Sequence, residues 1–92
     1  MIDCEGTRCR IGGAVTVRTT GALLRELLPQ IAAGVDTLDF SRVESADSAA
    51  LALVFSALRE ARQAGRTLHC TGFPESFTTL AELYGVSDLL PA

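Results

Sequence analysis

The spacing of apolar residues divides the chain into short strands that alternate with longer helices. Four short stretches are predicted as strands: residues 8–11, 15–18, 37–40 and 66–71. Three longer stretches have apolar residues at helical spacing: residues 20–34, 49–65 and 75–84. Because no linker, repeat or low-complexity segment interrupts this alternation, we expect residues 1–92 to form one domain of the α/β class.

Glycine and proline residues predict where several of these elements begin and end. Gly12 and Gly13 separate the first two strands and predict a hairpin turn, because glycine readily adopts the positive φ that such turns require. Pro29 predicts a kink or a shortened last turn in the first helix, since proline lacks the N–H group that an interior helical position donates. Gly65 and Gly85 are expected to end the two later helices.

The segment 43–51, with the sequence Val-Glu-Ser-Ala-Asp-Ser-Ala-Ala-Leu, joins the third predicted strand to the longest helix. Residues 41–47 are predicted to form a polar loop, which places Ser48 at or beside the N-terminus of that helix. Unpaired backbone N–H groups and the positive end of the helix dipole favour an anion such as phosphate there. Serine and aspartate are also preferred helix caps. The local pattern therefore fits both a phosphate site and a plain helix cap.

The longest helix has apolar residues on two faces. At about 100° per residue, one stripe is expected to face the sheet: Leu51, Val54, Phe55 and Leu58. Ala49, Leu53 and Ala57 fall nearly opposite, and we predict that they form a partner surface beside Ser48. The alternative is that alanine is simply a good helix former and Leu53 a single exposed apolar residue, which is ordinary in proteins.

Composition excludes several classes of function. The net charge is −3 and all eight basic residues are arginine, which argues against nucleic-acid binding and excludes chemistry that needs a lysine amine. The N-terminus lacks the basic and apolar regions of a signal peptide. The longest apolar run, residues 49–55, is far shorter than the roughly 20 residues that span a bilayer. We therefore expect a cytoplasmic protein with no direct membrane insertion.

The cysteines give no sign of a metal site or a disulfide framework. Their number is odd and no Cys-x-x-Cys pair occurs. Cys4, Cys9, His69 and Cys70 are the only candidate ligands, but each neighbouring pair is expected to point to opposite faces of a strand. We therefore expect no metal and no cofactor, and we interpret His69 as a partly exposed strand residue.

An enzyme is the weakest interpretation of the sequence. Nucleophilic catalysis by Ser48 requires a base within hydrogen-bond reach, and His69 is the only histidine. Asp39, Glu44 and Asp47 supply carboxylates near the same loop, but loop acids beside a helix start are usually caps or solvated charges. We expect no catalytic residues.

Two segments resemble the STAS domain, the fold of anti-sigma factor antagonists and of sulfate transporter tails. They are Leu-Asp-Phe-Ser-Arg-Val at residues 38–43 and Asp-Ser-Ala-Ala-Leu-Ala-Leu at residues 47–53. The resemblance implies a STAS fold, with one mixed sheet of four to five strands packed with three to four helices. In many bacterial members the hydroxyl residue at the position of Ser48 is phosphorylated by an anti-sigma factor kinase, which controls partner binding.

The end of the chain is similar to that of the MlaB-type STAS subunits of phospholipid ABC transporters. The similar segments are Thr-Leu-Ala-Glu-Leu-Tyr-Gly-Val at residues 79–86 and Leu-Leu-Pro at residues 89–91. This resemblance implies a non-catalytic subunit that docks on the transporter ATPase and supports the lipid transport that maintains outer-membrane asymmetry. One departure counts against a phosphorylation switch: Ala50 stands where the STAS pattern usually has glycine.

Two hypotheses about function follow from these resemblances. In the first, the chain binds an ABC transporter ATPase through residues near the helix start: Asp47, Ser48, Ala49, Ala50, Leu53 and Ala57. In the second, it is an anti-sigma factor antagonist that a kinase partner switches by phosphorylation at Ser48. Both hypotheses place the protein in the cytoplasm, peripheral to the inner membrane only through its partner. An exposed apolar stripe also predicts a homodimer when the protein is isolated.

Overall fold

The computed structural model describes residues 1–90 and confirms the mixed α/β class, with four strands and three helices. The strands are β1 (Ile2–Glu5), β2 (Arg8–Val15), β3 (Thr37–Ala46) and β4 (His69–Thr71). The helices are α1 (Thr20–Ala33), α2 (Ser48–Gln63) and α3 (Glu75–Leu83), and a short 3₁₀ turn follows at Ser87–Leu89. The family-like ending quoted above includes Pro91, which lies outside the described residues.

The sheet has a helix-covered face and an uncovered face. Its strand order is β1-β2-β3-β4, with β1 antiparallel to β2 and the other pairs parallel. Both parallel crossovers proceed in the same direction, and because such crossovers are right-handed, α1 and α2 lie on the same face. The two helices also contact each other. Burial alternates accordingly along β2, where Cys9 and Ile11 are buried while Arg8 is exposed.

The predicted hairpin around Gly12 and Gly13 is wrong. β2 continues through both glycines, and the hairpin lies one strand earlier, where Gly6 has a φ of 62° in the turn from β1. Gly13 has a φ of 76°, and the pairing of β2 with β3 shifts register beside it. Glycine is used here for a β-bulge rather than for a turn, since both features require the same backbone conformation.

The predicted polar loop at residues 41–47 is also wrong, because β3 continues to Ala46. β2 pairs with this second half of β3 as far as Val15 opposite Ala46, whereas β4 pairs only with residues 37–39. The second half of β3 is therefore a sheet edge, where polar side chains face solvent without disturbing the pairing. β4 is correspondingly shorter than predicted. Pro29 lies inside α1 without ending it, since the helix continues to Ala33.

The core lies between the covered face of the sheet and the helices. Its largest fully buried side chains come from all the main elements: Ile11, Leu27, Ile31, Leu38, Phe40, Leu53, Val54 and Phe77. Phe40 of β3 stacks on Phe73 with ring centroids 5.0 Å apart and packs against Phe77 of α3 at 5.3 Å. This aromatic cluster anchors α3 to β3, where α3 also contacts α2.

The expectation that the cysteines form no disulfide is wrong for one pair. Cys4 and Cys9 lie opposite each other on β1 and β2 and are joined by a disulfide. The sequence interpretation placed both residues on one strand, but a two-residue turn separates them, and residues directly opposite in an antiparallel pair point to the same face. Cys70 is a buried free cysteine, and burial raises the pKa of its thiol to about 12.

Candidate functional site at helix α2

Asp47 builds the N-terminus of α2. Its side chain accepts hydrogen bonds from the backbone N–H of Ala49 at 2.8 Å and from that of Val17 at 3.1 Å. Its carbonyl accepts from the N–H of Ala50 at 2.9 Å, and its own N–H donates to the carbonyl of Val15 at 3.3 Å. Asp47 is therefore the helix cap, and it also fixes the start of α2 to the end of β2.

Ser48 is the first residue of α2 and is exposed. The N–H groups of Ala49 and Ala50 already bond to Asp47, so the protein's own carboxylate occupies the helix end that the sequence predicts as a phosphate site. A phosphoryl group on Ser48 would therefore not find the N–H groups of Ala49 and Ala50 free to donate to it. The exposed hydroxyl remains accessible to a modifying enzyme.

The predicted orientation of α2 is right for half of its inward stripe and wrong for the rest. Leu51 and Val54 are buried as predicted, whereas Phe55 and Leu58 are only partly buried. Residues that the sequence places on or near the outer face are instead fully buried: Ala50, Leu53 and Ala57. At 100° per residue, α2 is rotated by about 90° from the predicted orientation. The physical reason is that α2 packs closely against α1 and also contacts α3, and small side chains permit this close approach.

Three of the six residues predicted to contact a partner are therefore inaccessible in the folded chain: Ala50, Leu53 and Ala57. The other three remain accessible to different degrees, with Asp47 and Ala49 half-buried and Ser48 exposed. A role for these three in partner binding stays a prediction.

A different stripe on α2 faces solvent, and we call it the α2 stripe: Ser48, Ala52, Phe55 and Arg59. Ala52 and Arg59 are exposed and Phe55 is half-buried. Beside the stripe lies a groove of about 260 Å³, lined by Phe55, Leu58, Leu89, Arg59 and Arg62. Within residues 1–90, neither Arg59 nor Arg62 forms an ion pair. The helix thus presents a hydroxyl group, then a small apolar patch, then two positive charges.

The uncovered face of the sheet contains a buried acid, Asp39. Its carboxylate accepts from the backbone N–H of Ser41 at 2.9 Å and from the guanidinium of Arg8 at 3.3 Å, and Arg10 lies 3.7 Å away. The bonds from Ser41 lower the pKa of Asp39 most, the Arg8 guanidinium lowers it further, and burial opposes both. Asp39 is therefore an ionised group that ties β2 to β3.

The residues considered for acid–base chemistry are held in separate places. Asp39 is bonded on the uncovered sheet face, Asp47 caps α2, and Glu44 and His69 are exposed on β3 and β4. In the described part of the chain, no group of three His, Cys, Asp or Glu side chains is arranged to hold a metal ion. None of its helices is long and apolar enough to cross a membrane.

Comparison with known proteins identifies the family. A structure of unphosphorylated SpoIIAA, an anti-sigma factor antagonist, is 14% identical over 98% of this chain and 84% of that one, with a TM-score of 0.73. A candidate anti-sigma factor antagonist from Thermotoga maritima is 12% identical over 99% of this chain and 82% of that one, with a TM-score of 0.75. The phosphorylated form of SpoIIAA from Bacillus gives 14% identity over 98% and 86%, with a TM-score of 0.69.

These low identities confirm the STAS fold and nothing beyond it. No curated protein matches the chain by sequence. The family model described as "Mlab, STAS domain" matches residues 2–91, which is nearly the whole chain. The chain therefore belongs to the MlaB-type STAS domain family.

Proposed function

We propose that residues 1–92 form a single STAS domain that acts as a non-catalytic docking subunit and binds the ATPase of a phospholipid ABC transporter through the α2 stripe. Support for the class of partner comes from membership of the MlaB-type family. Support for the surface comes from the α2 stripe, where the exposed Ala52 lies beside the half-buried Phe55, and this is the observation that carries the proposal. In this proposal the protein works in the cytoplasm and reaches the inner membrane only through its partner.

The chemistry of the α2 stripe suits a helical partner with an acidic end. Ala52 has a small side chain, which allows close approach of another helix, and Phe55 retains apolar surface for burial. Full burial of an aromatic side chain is worth about 1.5–3 kcal/mol, and half-buried Phe55 would gain a fraction of that. Arg59 and Arg62 favour carboxylates at the far end of the contact.

Replacing an exposed alanine on α2 tests this surface without disturbing the core. We expect Ala52→Glu to abolish co-purification with the ATPase, because it places a charge in the centre of the apolar patch. Ala22→Glu is the matched control, since Ala22 is an exposed residue near the start of α1. Both variants should melt within about 4 °C of wild type, since exposed substitutions usually change stability by no more than about 0.5 kcal/mol.

Three results bear on this proposal in different ways. Failure of the wild-type protein to bind any ABC transporter ATPase from its own cell would rule out the partner. Retention of the ATPase by Ala52→Glu would rule out the surface while leaving the partner in place. Leu53→Asp would not test the surface, because Leu53 is fully buried and its replacement by a charge would unfold the chain.

A phosphorylation switch at Ser48 is the second candidate, and the exposure of Ser48 beside Ala52 is the observation that favours it. Phosphorylation would add nearly two negative charges next to Asp47 and would repel an acidic partner. The partner in this case is an anti-sigma factor kinase. Incubation with such kinases and ATP, followed by phosphopeptide mapping against Ser48→Ala, is the test. Unmodified Ser48 after every cognate pairing would exclude the switch but not the docking role.

The α2 stripe also predicts weak pairing of two copies when the protein is purified alone. The partner surface is then unoccupied, and exposed apolar area promotes self-association. Sedimentation over a range of concentrations should show a reversible dimer that Ala52→Glu abolishes and Ala22→Glu retains. A wild-type protein that stays monomeric at millimolar concentration would contradict this expectation.

A further inference from the structure

We propose that the Cys4–Cys9 disulfide is a thiol-exchange site, at which a small uncharged thiol attacks the sulfur of Cys4, and that its opening loosens β1 from the sheet. The proposal concerns β1 and β2 and is independent of the α2 stripe. It rests on three observations: the partial exposure of Cys4, the lining of the cleft beside it, and the place of β1 at the sheet edge.

The two cysteines of the disulfide differ in burial. Cys9 is fully buried in the core, whereas Cys4 is only half-buried. A cleft of about 390 Å³ lies beside Cys4, with Ile2, Glu26 and Gln30 as its other lining residues. Thiol–disulfide exchange requires access to the sulfur that is attacked. The geometry therefore directs an incoming thiol to Cys4.

The lining of this cleft selects among thiols by charge. Glu26 of α1 is an exposed acidic residue that lines the same cleft as Cys4. The attacking thiolate always carries one negative charge, and a reagent with a second negative charge is repelled more strongly as it approaches. Ile2 adds an apolar wall. A small uncharged thiol or dithiol is therefore the favoured reactant.

The exchange proceeds in two balanced steps. A thiolate RS⁻ attacks the Sγ atom of Cys4 and forms a new S–S bond, while the Cys4–Cys9 bond breaks and its electron pair leaves on the Sγ atom of Cys9, which takes up a proton. A second thiolate then attacks the outer sulfur of the adduct and releases Cys4 as a thiol. In sum, two RSH molecules are oxidised to RSSR and the protein disulfide is reduced to two thiols.

Besides the disulfide, β1 is held by its pairing with β2 and by Ile2 and Cys4, which are partly buried against the core, where β1 also contacts α1. β1 is a four-residue edge strand that pairs only with β2. Beyond its own strand pairing, Met1 donates its N-terminal amine to the carbonyl of Gly12 at 3.2 Å and accepts from the N–H of Gly12 at 2.9 Å. The disulfide closes only a short loop, so its loss should free β1 locally rather than unfold the chain.

The test uses the full chain purified without reductant. Intact mass should first show one disulfide and one free thiol. Brief treatment with 2-mercaptoethanol, quenching with acid and peptide mapping should then place the adduct on Cys4 rather than Cys9. The anionic reagent 2-mercaptoethanesulfonate, compared at equal thiolate concentration, should react about twofold to threefold more slowly, the effect of one partly screened charge. Glu26→Gln should remove that difference.

Hydrogen exchange tests the consequence for β1. Reduction should raise the exchange rates of β1 amides without changing those of α2, and the double variant Cys4→Ser/Cys9→Ser should show the same pattern without any thiol. Cys70 should resist alkylation throughout, which reports that the core stays folded. Three free thiols in the untreated protein, an adduct on Cys9, or unchanged β1 exchange after reduction would each overturn the proposal.

Discussion

The two sides of α2 both contain alanine and yet have opposite surroundings. The inner side contains Ala50, Leu53 and Ala57, all fully buried, and the outer side contains Ala52 and Phe55, which retain contact with solvent. Alanine by itself does not distinguish the two sides, although only the outer side also carries exposed polar and charged residues such as Ser48 and Arg59. The inner side is buried because α2 packs closely against α1 and also contacts α3, and alanine provides the space for that fit.

This contrast determines how a partner can use the helix. A partner can reach only the outer side, where the apolar area is small and is bordered by Ser48 and Arg59. Because the apolar centre of this surface is small, we expect it to contribute only moderate binding affinity. The polar and charged residues at its two ends are expected to determine which partner binds. The substitutions below test this division between the two sides, beginning with the largest expected effect.

Leu53→Ala should be the most destabilising change on α2. Leu53 is fully buried, and truncation of such a leucine costs about 2–5 kcal/mol through lost burial and the cavity that remains. Urea denaturation followed by circular dichroism measures the loss. If Leu53→Ala unfolded at the same urea concentration as wild type, Leu53 would not be buried in the folded protein. The sequence-based prediction that Leu53 faces a partner would then regain support.

The uncovered sheet face offers a similar contrast, because Asp39 is buried among exposed polar neighbours. Asp39→Asn removes a charge that Ser41 and Arg8 stabilise, and breaking such a buried network costs about 1–3 kcal/mol. The folded-state pKa of Asp39 lies below its unfolded value, so its contribution is present above about pH 3.9 and is lost as the pH falls through the folded pKa.

Denaturation of wild type and Asp39→Asn across a pH series tests this expectation. The difference in the free energy of unfolding should be constant from neutral pH to about pH 5 and should shrink below about pH 4. Thr71→Ser is the control: Thr71 lies opposite Asp39 on β4, and this variant keeps both the hydroxyl group at position 71 and the Asp39 carboxylate. If the difference in the free energy of unfolding between wild type and Asp39→Asn stayed the same in acid, Asp39 would stabilise the fold through its packing rather than its charge.

The order of elements from α1 onward and the family could be predicted from the sequence, because both depend on local patterns, whereas β1 was missed and the strand predicted over residues 15–18 is not observed. The helix predicted over residues 49–65 is observed as Ser48–Gln63, and α3 begins at Glu75 as predicted. The errors arose where the outcome depends on which segments pair. Gly13 suits a turn and a bulge equally, and only the pairing of β2 with β3 decides between them.

The same limitation explains what was missed at the candidate site. A disulfide between Cys4 and Cys9 requires a hairpin that the sequence placed elsewhere. The rotation of α2 depends on contact with α1, which no local pattern reports. One signal did exist: an aspartate directly before a helical segment is a strong cap, so Asp47 could have been preferred to Ser48.

A matched pair of alanine-to-leucine substitutions tests how tightly each side of α2 is packed. Ala57→Leu inserts three carbon atoms into a fully buried position, and such overpacking costs about 1–3 kcal/mol. Ala52→Leu adds the same atoms on the exposed side and should change stability by less than about 0.5 kcal/mol. Thermal melting of both variants gives the comparison, and equal effects at the two positions would contradict the close packing of α2 against its neighbours.

The smallest contrast lies at the helix start, between two adjacent polar residues. Asp47→Ala removes the bonds to Ala49 and Val17, and loss of a helix cap costs about 0.5–2 kcal/mol. Ser48→Ala should cost less than about 0.5 kcal/mol, because Ser48 is exposed and is not the cap. The two variants separate stability from binding: Asp47→Ala should lower the melting temperature, whereas Ser48→Ala should leave it unchanged and affect only partner binding or modification. A larger loss of stability for Ser48→Ala than for Asp47→Ala would show that the serine hydroxyl caps the helix in solution, and Ser48 would then be a structural residue rather than an accessible end of the α2 stripe.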